Sequence, residues 1–177
     1  RSIHVVRQLL TLARQEPGAS EPTMARLALA DLVSQTVAAS ANAAAARNID
    51  LGVAGSDPAA CVTGNAEALR TLLDNLVANA VRYTPAGGRI DVSCGSGGER
   101  AWLEVSDNGP GIPAAERERV FDRFYRRNGQ EVAGSGLGLA IVRAIADKHR
   151  AGIELADAPG GGLRVRVDFP PAPTGQP

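Results

Sequence analysis

Aromatic residues and lysine are scarce in this sequence. Only 3% of the 177 residues are aromatic, so the core must consist mainly of alanine, valine, leucine and isoleucine. Lys148 is the only lysine among the 19 lysine and arginine residues, and no Gly-Lys-Ser/Thr tripeptide occurs. A Walker-type phosphate loop and the lysine-based phosphate clamp of protein kinases are therefore not expected. If a nucleotide is bound, arginines, backbone amides and a metal ion must hold its phosphates.

The sequence also has no net charge, only two cysteines and no long apolar run. The formal net charge is zero, which argues against a nucleic-acid partner. Cys61 and Cys94 have neither metal-binding nor redox spacing, and we interpret them as reduced core residues of an intracellular protein. No apolar run approaches about 18 residues and no signal-peptide pattern occurs, so we expect no membrane span in this stretch.

The periodicity of the apolar residues predicts one domain of mixed helices and strands. A hydrophobic content of 44% is enough for a single sizeable core. Strands are predicted at 24–29, 48–55, 61–63, 89–94, 101–106, 152–156 and 163–169. Helices are predicted from an Asp31 cap to about 47, from an Asn65 cap to about 82, at 113–119 and at 136–148. Hairpins mixed with helices indicate an α+β fold, a mixed sheet with helices on one face.

Both ends of the chain differ from this domain of residues 24–170. Apolar residues recur at helical spacing in 1–15, and a Glu-Pro-Gly break follows. We predict that residues 1–16 are the tail of a helical hairpin or coiled coil from a preceding domain, and that 17–23 are a linker. Because the chain begins inside this predicted helix, we interpret it as a fragment. The proline-rich residues 171–177 are predicted to be a disordered tail.

The stretch 107–112, Asp-Asn-Gly-Pro-Gly-Ile, joins the end of a predicted strand to a glycine turn. An ionised Asp107 at a strand end, beside backbone that a ligand can approach closely, suits a pocket for a nucleotide base. It can accept a hydrogen bond from an exocyclic amine such as that of adenine, worth about 1.5–3 kcal/mol when buried. The motif alone is equally compatible with a plain hairpin turn and a solvated aspartate.

The predicted helix 65–82 carries Asn75, Asn79 and Arg82 at spacings that place them on one face. A neutral amide oxygen is a good ligand for a hard cation such as Mg²⁺, which also binds phosphate oxygens. Arg82 lies one turn further on and can reach a phosphate. A polar solvent-facing stripe is the alternative interpretation of the same pattern.

Glycines precede the predicted helix at 136–148. Gly134, Gly136 and Gly138 allow the backbone amides to turn towards an anion, and the start of the helix adds positive potential. The glycine spacing is not that of the dinucleotide-binding motif. Taken alone, the pattern is weak support for a phosphate site.

The segment 120–126 contains Phe121 and Phe124, two of only three phenylalanines in the chain. They are typical of core aromatics, and between a short helix and a polar loop they also suit the anchor of a mobile lid. We predict such a lid at 127–135, with Arg126 at its base and available for phosphate.

These four motifs, in this order, resemble the ATP-binding catalytic domain of sensor histidine kinases. That domain shares a superfamily with gyrase, the ninety-kilodalton heat-shock chaperone and the mismatch-repair ATPase. The matching segments are 75–85 (asparagine box), 107–111 (first glycine box), 121–126 (phenylalanine box) and 134–138 (second glycine box). The resemblance covers about residues 24–170 and implies a two-layer α/β sandwich of the Bergerat type.

The resemblance also implies roles for individual residues. Asp107 would take the adenine amine, Tyr83 would lie against the adenine, and Asn79 would ligate Mg²⁺ with Asn75 beside it. Arg82 and Arg126 would contact phosphates. The remaining cofactor-binding positions implied are Gly109 and Gly111 at the base and Gly134, Gly136, Leu137 and Gly138 around the phosphates.

The site is expected to serve a kinase and not a hydrolase. In the hydrolytic relatives a glutamate one turn before the metal-binding asparagine activates water. Here that position is Asn75, which is no general base, and Asp74 points about 100° away around the helix. We therefore expect transfer of the γ-phosphoryl group of Mg-ATP to a histidine on an upstream domain absent from this chain, for relay to a response regulator.

Residues 1–16 resemble the end of the second helix of the dimerisation and phosphoacceptor domain. His4 lacks the following acid and proline of a phosphoacceptor motif, so we interpret it as a helix-surface residue. His149 is interpreted as a structural cation at a helix end. The family further implies a homodimeric full-length protein with this domain in the cytoplasm, attached to an inner-membrane sensor, whereas the fragment alone is expected to be a monomer.

Three alternatives remain open at this point. A serine kinase like the anti-sigma factors of the superfamily is opposed by the N-terminal helix with its Glu-Pro-Gly break. A degenerate scaffold is opposed by the intact Asp107, Asn79 and glycines. A gyrase- or chaperone-type hydrolase is opposed by Asn75.

Overall fold

A computed structural model describes residues 23–126 and 135–171. The predictions for 1–16, most of the linker, the lid and the tail therefore concern residues outside the described ranges. The strands are β1 (Ala25–Ala28), β2 (Asp50–Ser56), β3 (Cys61–Gly64), β4 (Arg89–Gly97), β5 (Arg100–Asp107), β6 (Gly152–Asp157) and β7 (Leu163–Asp168). The helices are α1 (Leu29–Ala45), α2 (Ala66–Tyr83) and α3 (Gly138–Lys148), with 3₁₀ turns at Ala114–Glu116 and Arg119–Phe121.

The strands form a mixed five-stranded sheet and a small two-stranded one. The large sheet has the order β2-β4-β5-β7-β6, with β2 parallel to β4 and the other neighbours antiparallel. One face of this sheet is apolar and packs with the three helices in a single hydrophobic core. This face carries Ile90, Val92, Leu103, Val105, Val165 and Val167. The predicted α+β fold, a mixed sheet with helices on one face, is thus confirmed.

The opposite face of the large sheet carries charged side chains. The guanidinium of Arg166 stacks 4.3 Å from the ring centroid of Trp102 and pairs with Asp168 at 3.1 Å. Glu104 lies 3.8 Å from the same arginine, and Arg164 pairs with Glu154 at 3.3 Å. Period-two alternation along each strand therefore separates an apolar core face from an ion-paired outer face.

Helix α2 is the central helix of the core. Its first turn is capped as predicted, because Oδ1 of Asn65 accepts a 2.8 Å hydrogen bond from the backbone N–H of Ala68. The helix buries Leu69, Leu72, Leu73, Leu76 and Val77. It stops at Tyr83 because Thr84 precedes a proline and takes extended backbone angles. Another stripe of the helix, with Asn75 and Asn79, is only half-buried.

Three local predictions were wrong. Asp31 does not cap α1; the capping residue is Ala28, three residues earlier, and the N–H of Leu29 donates to the carbonyl of Ala60, so backbone replaces a side-chain cap. The helix predicted at 113–119 is two separate 3₁₀ turns. Residues 95–97, which lie between the predicted strands 89–94 and 101–106, belong to β4, because Gly95 leaves room for the Trp102 ring to lie against the backbone of that strand.

His149 is not the helix-end cation that the sequence suggested. It is 7% exposed, its Nδ1 donates to the carbonyl of Ile145 at 2.7 Å, and its Nε2 accepts from the N–H of Asn65 at 3.1 Å. Burial lowers the pKa of the imidazole, with hydrogen bonding to Ile145 acting in the opposite direction. The residue is a neutral link between α2 and α3.

Both cysteines are free thiols, with Cys94 in the core and Cys61 half-buried. In the described ranges, none of the helices has the length and apolar character needed to cross a bilayer.

Candidate functional site

A pocket opens between α2, the sheet ends of β5 and β7, the segment that follows β5, and the start of α3. Its walls are largely apolar, which suits a flat ring system. The apolar lining consists of Leu76, Ala80, Val105, Ile112, Val120, Leu139, Leu163 and Val165. The polar lining includes Asp107 of β5 and, from α2, Asn79 and Arg82, and the start of α3 borders the pocket at Gly138.

Asp107 is a largely buried residue of the pocket lining. It is the last residue of β5 and is 9% exposed. Its Oδ1 accepts hydrogen bonds from the N–H groups of Gly109 at 2.8 Å and Leu163 at 3.3 Å. Burial raises the pKa of the carboxyl, and these two bonds act to lower it. Oδ2 accepts no hydrogen bond from the described residues, so it is available to a ligand that carries a donor.

Two glycine-rich turns pack against each other around Asp107. Gly111 has a φ of 66° and faces the carbonyl of Gly162, so close that a side chain at Gly111 would come within 3.0 Å of that oxygen. Gly162 has a φ of 94° and presses on the backbone of Asp107 and Asn108. Only glycine accepts both the left-handed conformation and this approach. The sequence interpretation missed Gly160–Gly162; three consecutive glycines before a strand were the available signal.

Helix α2 contributes polar side chains to the pocket. Asn79, Arg82 and Tyr83 line it. Asn79 is half-buried, and its amide has no hydrogen-bond partner within the described ranges. Asn75 does not line the pocket; its Nδ2 donates to the carbonyl of Thr71 at 2.7 Å, within its own helix. Of the two asparagines, therefore, only Asn79 lines the pocket.

The start of α3 lies directly against these asparagines. A side chain at Gly138 would come within 3.3 Å of the Asn79 amide and 3.4 Å of Asn75 Oδ1, so glycine permits the helix start to meet them. Gly136 also borders the pocket, with a φ of 70°. Leu137 does not line the pocket: its side chain is fully buried in the core, and its backbone N–H donates to the Ser135 hydroxyl. Gly134 lies outside the described residues.

The segment between the two glycine motifs supplies the remaining wall. Tyr125 and Arg126 line the pocket, and the Tyr125 hydroxyl donates to Glu116 at 3.2 Å. Phe124 is 59% exposed in a left-handed conformation, and its N–H donates to the carbonyl of Gly136 at 2.9 Å. Phe124 is therefore not a core residue, and Tyr125 is a pocket residue that the sequence interpretation did not single out.

Arg117 was also missed. It donates to the backbone carbonyls of Ile112 and Leu155 and pairs with Asp157. No local pattern marks it, because two of its partners lie 38 and 40 residues away in sequence.

Residues 64–173, more than half of the chain, match the family of histidine kinase-, DNA gyrase B- and HSP90-like ATPases. The chain therefore belongs to this ATPase family, and it carries an ATP-binding domain of the kind found in sensor histidine kinases. The resemblance found in the sequence motifs is confirmed.

Particular relatives narrow this assignment. The chain is 36% identical to the sensor histidine kinase RppB of Synechocystis sp., over 96% of this chain and 38% of that protein. It is 36% identical to the sensor protein QseC of Escherichia coli, over 96% of this chain and 37% of that protein. Among solved structures, full-length ShkA in complex with AMPPNP superposes with a TM-score of 0.84 at 28% identity, over 96% of this chain and 35% of that one. The chain thus spans less than two-fifths of each relative.

Proposed function

We propose that this chain binds Mg-ATP and, within a longer protein, transfers the γ-phosphoryl group to a histidine on an upstream domain, for relay to a response regulator. One observation carries the proposal: a nearly buried carboxylate, Asp107, and the amide of Asn79, which has no hydrogen-bond partner among the described residues, line the same largely apolar pocket. This combination of polar groups suits a ligand that has an amine-bearing ring and phosphates.

The base end of the pocket fits adenine. Oδ2 of Asp107 would accept the exocyclic amine, because Oδ1 is already held by Gly109 and Leu163. The glycine turns allow the ring to approach the backbone. Tyr83 would lie along the open side of the ring, where it is 36% exposed.

The other end fits phosphates and a hard cation. The start of α3 at Gly138 offers backbone N–H groups and positive potential, and Arg82 and Arg126 add charge. In the described ranges no group of three or more histidine, cysteine, aspartate or glutamate side chains can hold a metal by itself. Mg²⁺ would therefore be shared between Asn79, water and phosphate oxygens. The bound ATP would supply the phosphoryl group, and the metal would neutralise its charge.

The composition of the pocket favours transfer over hydrolysis. Asp107 is the only carboxylate among the pocket-lining residues that the structure describes, and it is committed to the base end. Asp74, on the other side of α2, is exposed and lies outside the pocket lining. No residue of the described pocket is therefore placed to activate water, which favours an external nucleophile such as a histidine.

We further infer the setting of the domain in the whole protein. The proposed setting is a full-length homodimer in which this domain lies in the cytoplasm, attached to an inner-membrane sensor. The names of the relatives as sensor proteins support a role in sensing, and the similarity to the solved cytoplasmic segment of QseC supports the cytoplasmic location. The chain alone is expected to be a monomer. Sedimentation that shows a tight dimer of the chain would contradict this part of the proposal.

Calorimetric titration with ATP, with and without Mg²⁺, tests the ligand. We expect Mg²⁺ to strengthen binding, and Asp107→Asn to weaken it by about 10- to 100-fold, because a charge-assisted hydrogen bond is lost. Asp168→Asn, at the end of the neighbouring strand on the outer face, is the matched control and should bind like wild type. A wild-type chain that binds no ATP would overturn the proposal.

Transfer is tested separately, on the full-length protein. Radiolabelled γ-phosphate should appear on the protein as an acid-labile, base-stable adduct, as expected of phosphohistidine. Label that is stable to acid would instead indicate a serine kinase, and release of free phosphate without labelled protein would indicate a hydrolase.

A further inference from the structure

We infer that Arg117 is a positioning residue for the base end of the pocket, because its guanidinium ties the turn after β5 to the end of β6 and so holds both glycine-rich turns against Asp107. The inference deepens the proposed function and rests on it for its effect on ligand binding. Arg117 itself does not line the pocket.

The contacts of Arg117 use its whole guanidinium. Nε donates to the carbonyl of Ile112 at 2.9 Å, Nη1 donates to the carbonyl of Leu155 at 3.4 Å, and Nη2 pairs with Asp157 at 2.6 Å. The arginine side chain is only 20% exposed. A planar fork with five donors can serve three acceptors in different directions, which a lysine ammonium on a flexible stem does not match.

The contacts of Arg117 on both sides involve segments that border the pocket. Ile112 lines the pocket directly and follows Gly111, which faces Gly162. Asp157 is followed by a turn that is closed by a 3.2 Å hydrogen bond from the N–H of Ala158 to the carbonyl of Gly162. This turn places Gly162 against the backbone of Asp107.

The residue after this turn completes the link. The N–H of Leu163 is one of the two donors that fix Oδ1 of Asp107. Movement of the β6 end relative to the β5 turn would therefore change the orientation of the carboxylate that faces the ligand. Arg117 opposes this movement by bonding to both.

The carbonyl bonds carry more of this effect than the ion pair. Asp157 is 80% exposed, and a solvent-exposed pair contributes little because water screens it. The two carbonyl bonds come from a largely buried guanidinium to backbone that is fixed in a turn and a strand. Loss of the guanidinium should therefore matter more than loss of its carboxylate partner.

The test compares Arg117→Met with Arg117→Lys, Asp157→Asn and Arg166→Met. Arg166 is the matched control: it is paired with carboxylates and 31% exposed, but on the outer face of the same sheet. We expect about tenfold weaker ATP binding for Arg117→Met, in line with the loss of charge-assisted hydrogen bonds. Arg117→Lys should recover only part of the affinity, and Asp157→Asn and Arg166→Met should bind nearly like wild type.

Two further readouts separate positioning from general stability. Arg117→Met should weaken the binding of adenosine by the same factor as the binding of ATP, because the contacts of Arg117 act on the part of the pocket that holds the base. Without nucleotide, the amide protons of Gly109 and Leu163 should exchange faster in Arg117→Met than in Arg166→Met. Equal affinities, or equal exchange at these two amides, would overturn the inference.

The outcomes also distinguish this inference from the proposed function. A wild-type chain that binds neither ATP nor adenosine would contradict the proposed function. Amide exchange at Gly109 and Leu163 would still show whether Arg117 holds the two turns.

Discussion

The backbone N–H of Asn65 donates a 3.1 Å hydrogen bond to Nε2 of His149. Asn65 caps the start of α2, and His149 follows the end of α3, so the bond joins the two helices that flank the pocket. The other ring nitrogen donates to the carbonyl of Ile145, so only a neutral imidazole with its proton on Nδ1 makes both bonds.

This geometry predicts an acid-sensitive stability. Burial lowers the pKa of His149 from its ordinary value of 6.5, and neighbouring Lys148 lowers it further. The unfolded state then binds more protons than the folded state between 6.5 and the lowered pKa. The stabilisation from the neutral imidazole is therefore present above pH 6.5 and is lost as the pH falls below it.

The variant that removes this titration is His149→Gln, whose amide oxygen can still accept from Asn65. Its free energy of unfolding in urea should fall less than that of wild type between pH 7 and pH 5. His4→Gln, at the only other histidine in the sequence, should keep the wild-type dependence. Identical pH profiles for wild type and His149→Gln would contradict the prediction.

Asp107→Asn should stabilise the protein in the absence of nucleotide. Burial raises the pKa of this carboxyl above its ordinary 3.8, so the folded state binds more protons and stability falls as the pH rises from 3.8 through the raised pKa. Asparagine avoids the cost of a buried charge at pH 7 and keeps an acceptor for Gly109. Thermal unfolding at pH 7 should show a higher midpoint for the variant.

Saturating Mg-ATP should reverse this order, because the wild type binds the nucleotide more tightly and is therefore stabilised by it more than the variant. An Asp107→Asn variant that is less stable than wild type without nucleotide would indicate that the ionised carboxylate is needed by the fold itself.

The three glycines before β7 allow a controlled comparison of Gly162→Ala with Gly160→Ala. Both residues have left-handed φ values, 94° and 92°, but a side chain at Gly160 meets nothing within 4 Å. Gly160→Ala should therefore cost only backbone strain, of order 1 kcal/mol. Gly162→Ala adds a clash with the Asp107 backbone.

Gly162→Ala should consequently show the larger loss of unfolding free energy and also a weaker affinity for ATP, whereas Gly160→Ala should keep the wild-type affinity. Equal losses of stability in the two variants would show that the packing of Gly162 on Asp107 contributes nothing beyond its conformation.

The asparagines of α2 are expected to differ in their response to Mg²⁺. Asn79 faces the pocket, whereas the Nδ2 of Asn75 is bonded to its own helix. Asn79→Ala should remove most of the strengthening of ATP binding by Mg²⁺ while leaving metal-free binding nearly unchanged. Asn75→Ala should keep a clear Mg²⁺ effect. Titrations at fixed ATP with varied Mg²⁺ measure both, and equal loss in the two variants would contradict the assignment of the metal to Asn79.

Local patterns were enough to predict the parts of the site that lie within one element. The Asn65 cap, the polar stripe of α2 and the position of Asp107 at a strand end each depend on residues within a few positions of one another, and each lies where the sequence placed it. The helices on one sheet face followed from the mixture of hairpins and helices along the chain.

Long-range contacts could not be predicted in this way. His149 lies in an Asp-Lys-His-Arg stretch that looks like surface, and its burial comes from Gly64 and Asn65, the latter 84 residues away. Arg117 is one of four charged residues in a row at 116–119, and its partners on β6, Leu155 and Asp157, are brought to it only by the return of that strand to the sheet. Their roles come from packing between elements, which periodicity within one element does not encode.

The scarcity of aromatic residues gives this protein two separate optical reporters. The single tryptophan, Trp102, lies on the outer face of the sheet beneath Arg166, whereas both tyrosines, Tyr83 and Tyr125, line the pocket. Tryptophan emission should follow loss of the sheet, and tyrosine absorbance should follow occupancy of the pocket. Unfolding and ligand binding can thus be observed in one unlabelled sample without a dye or an introduced probe.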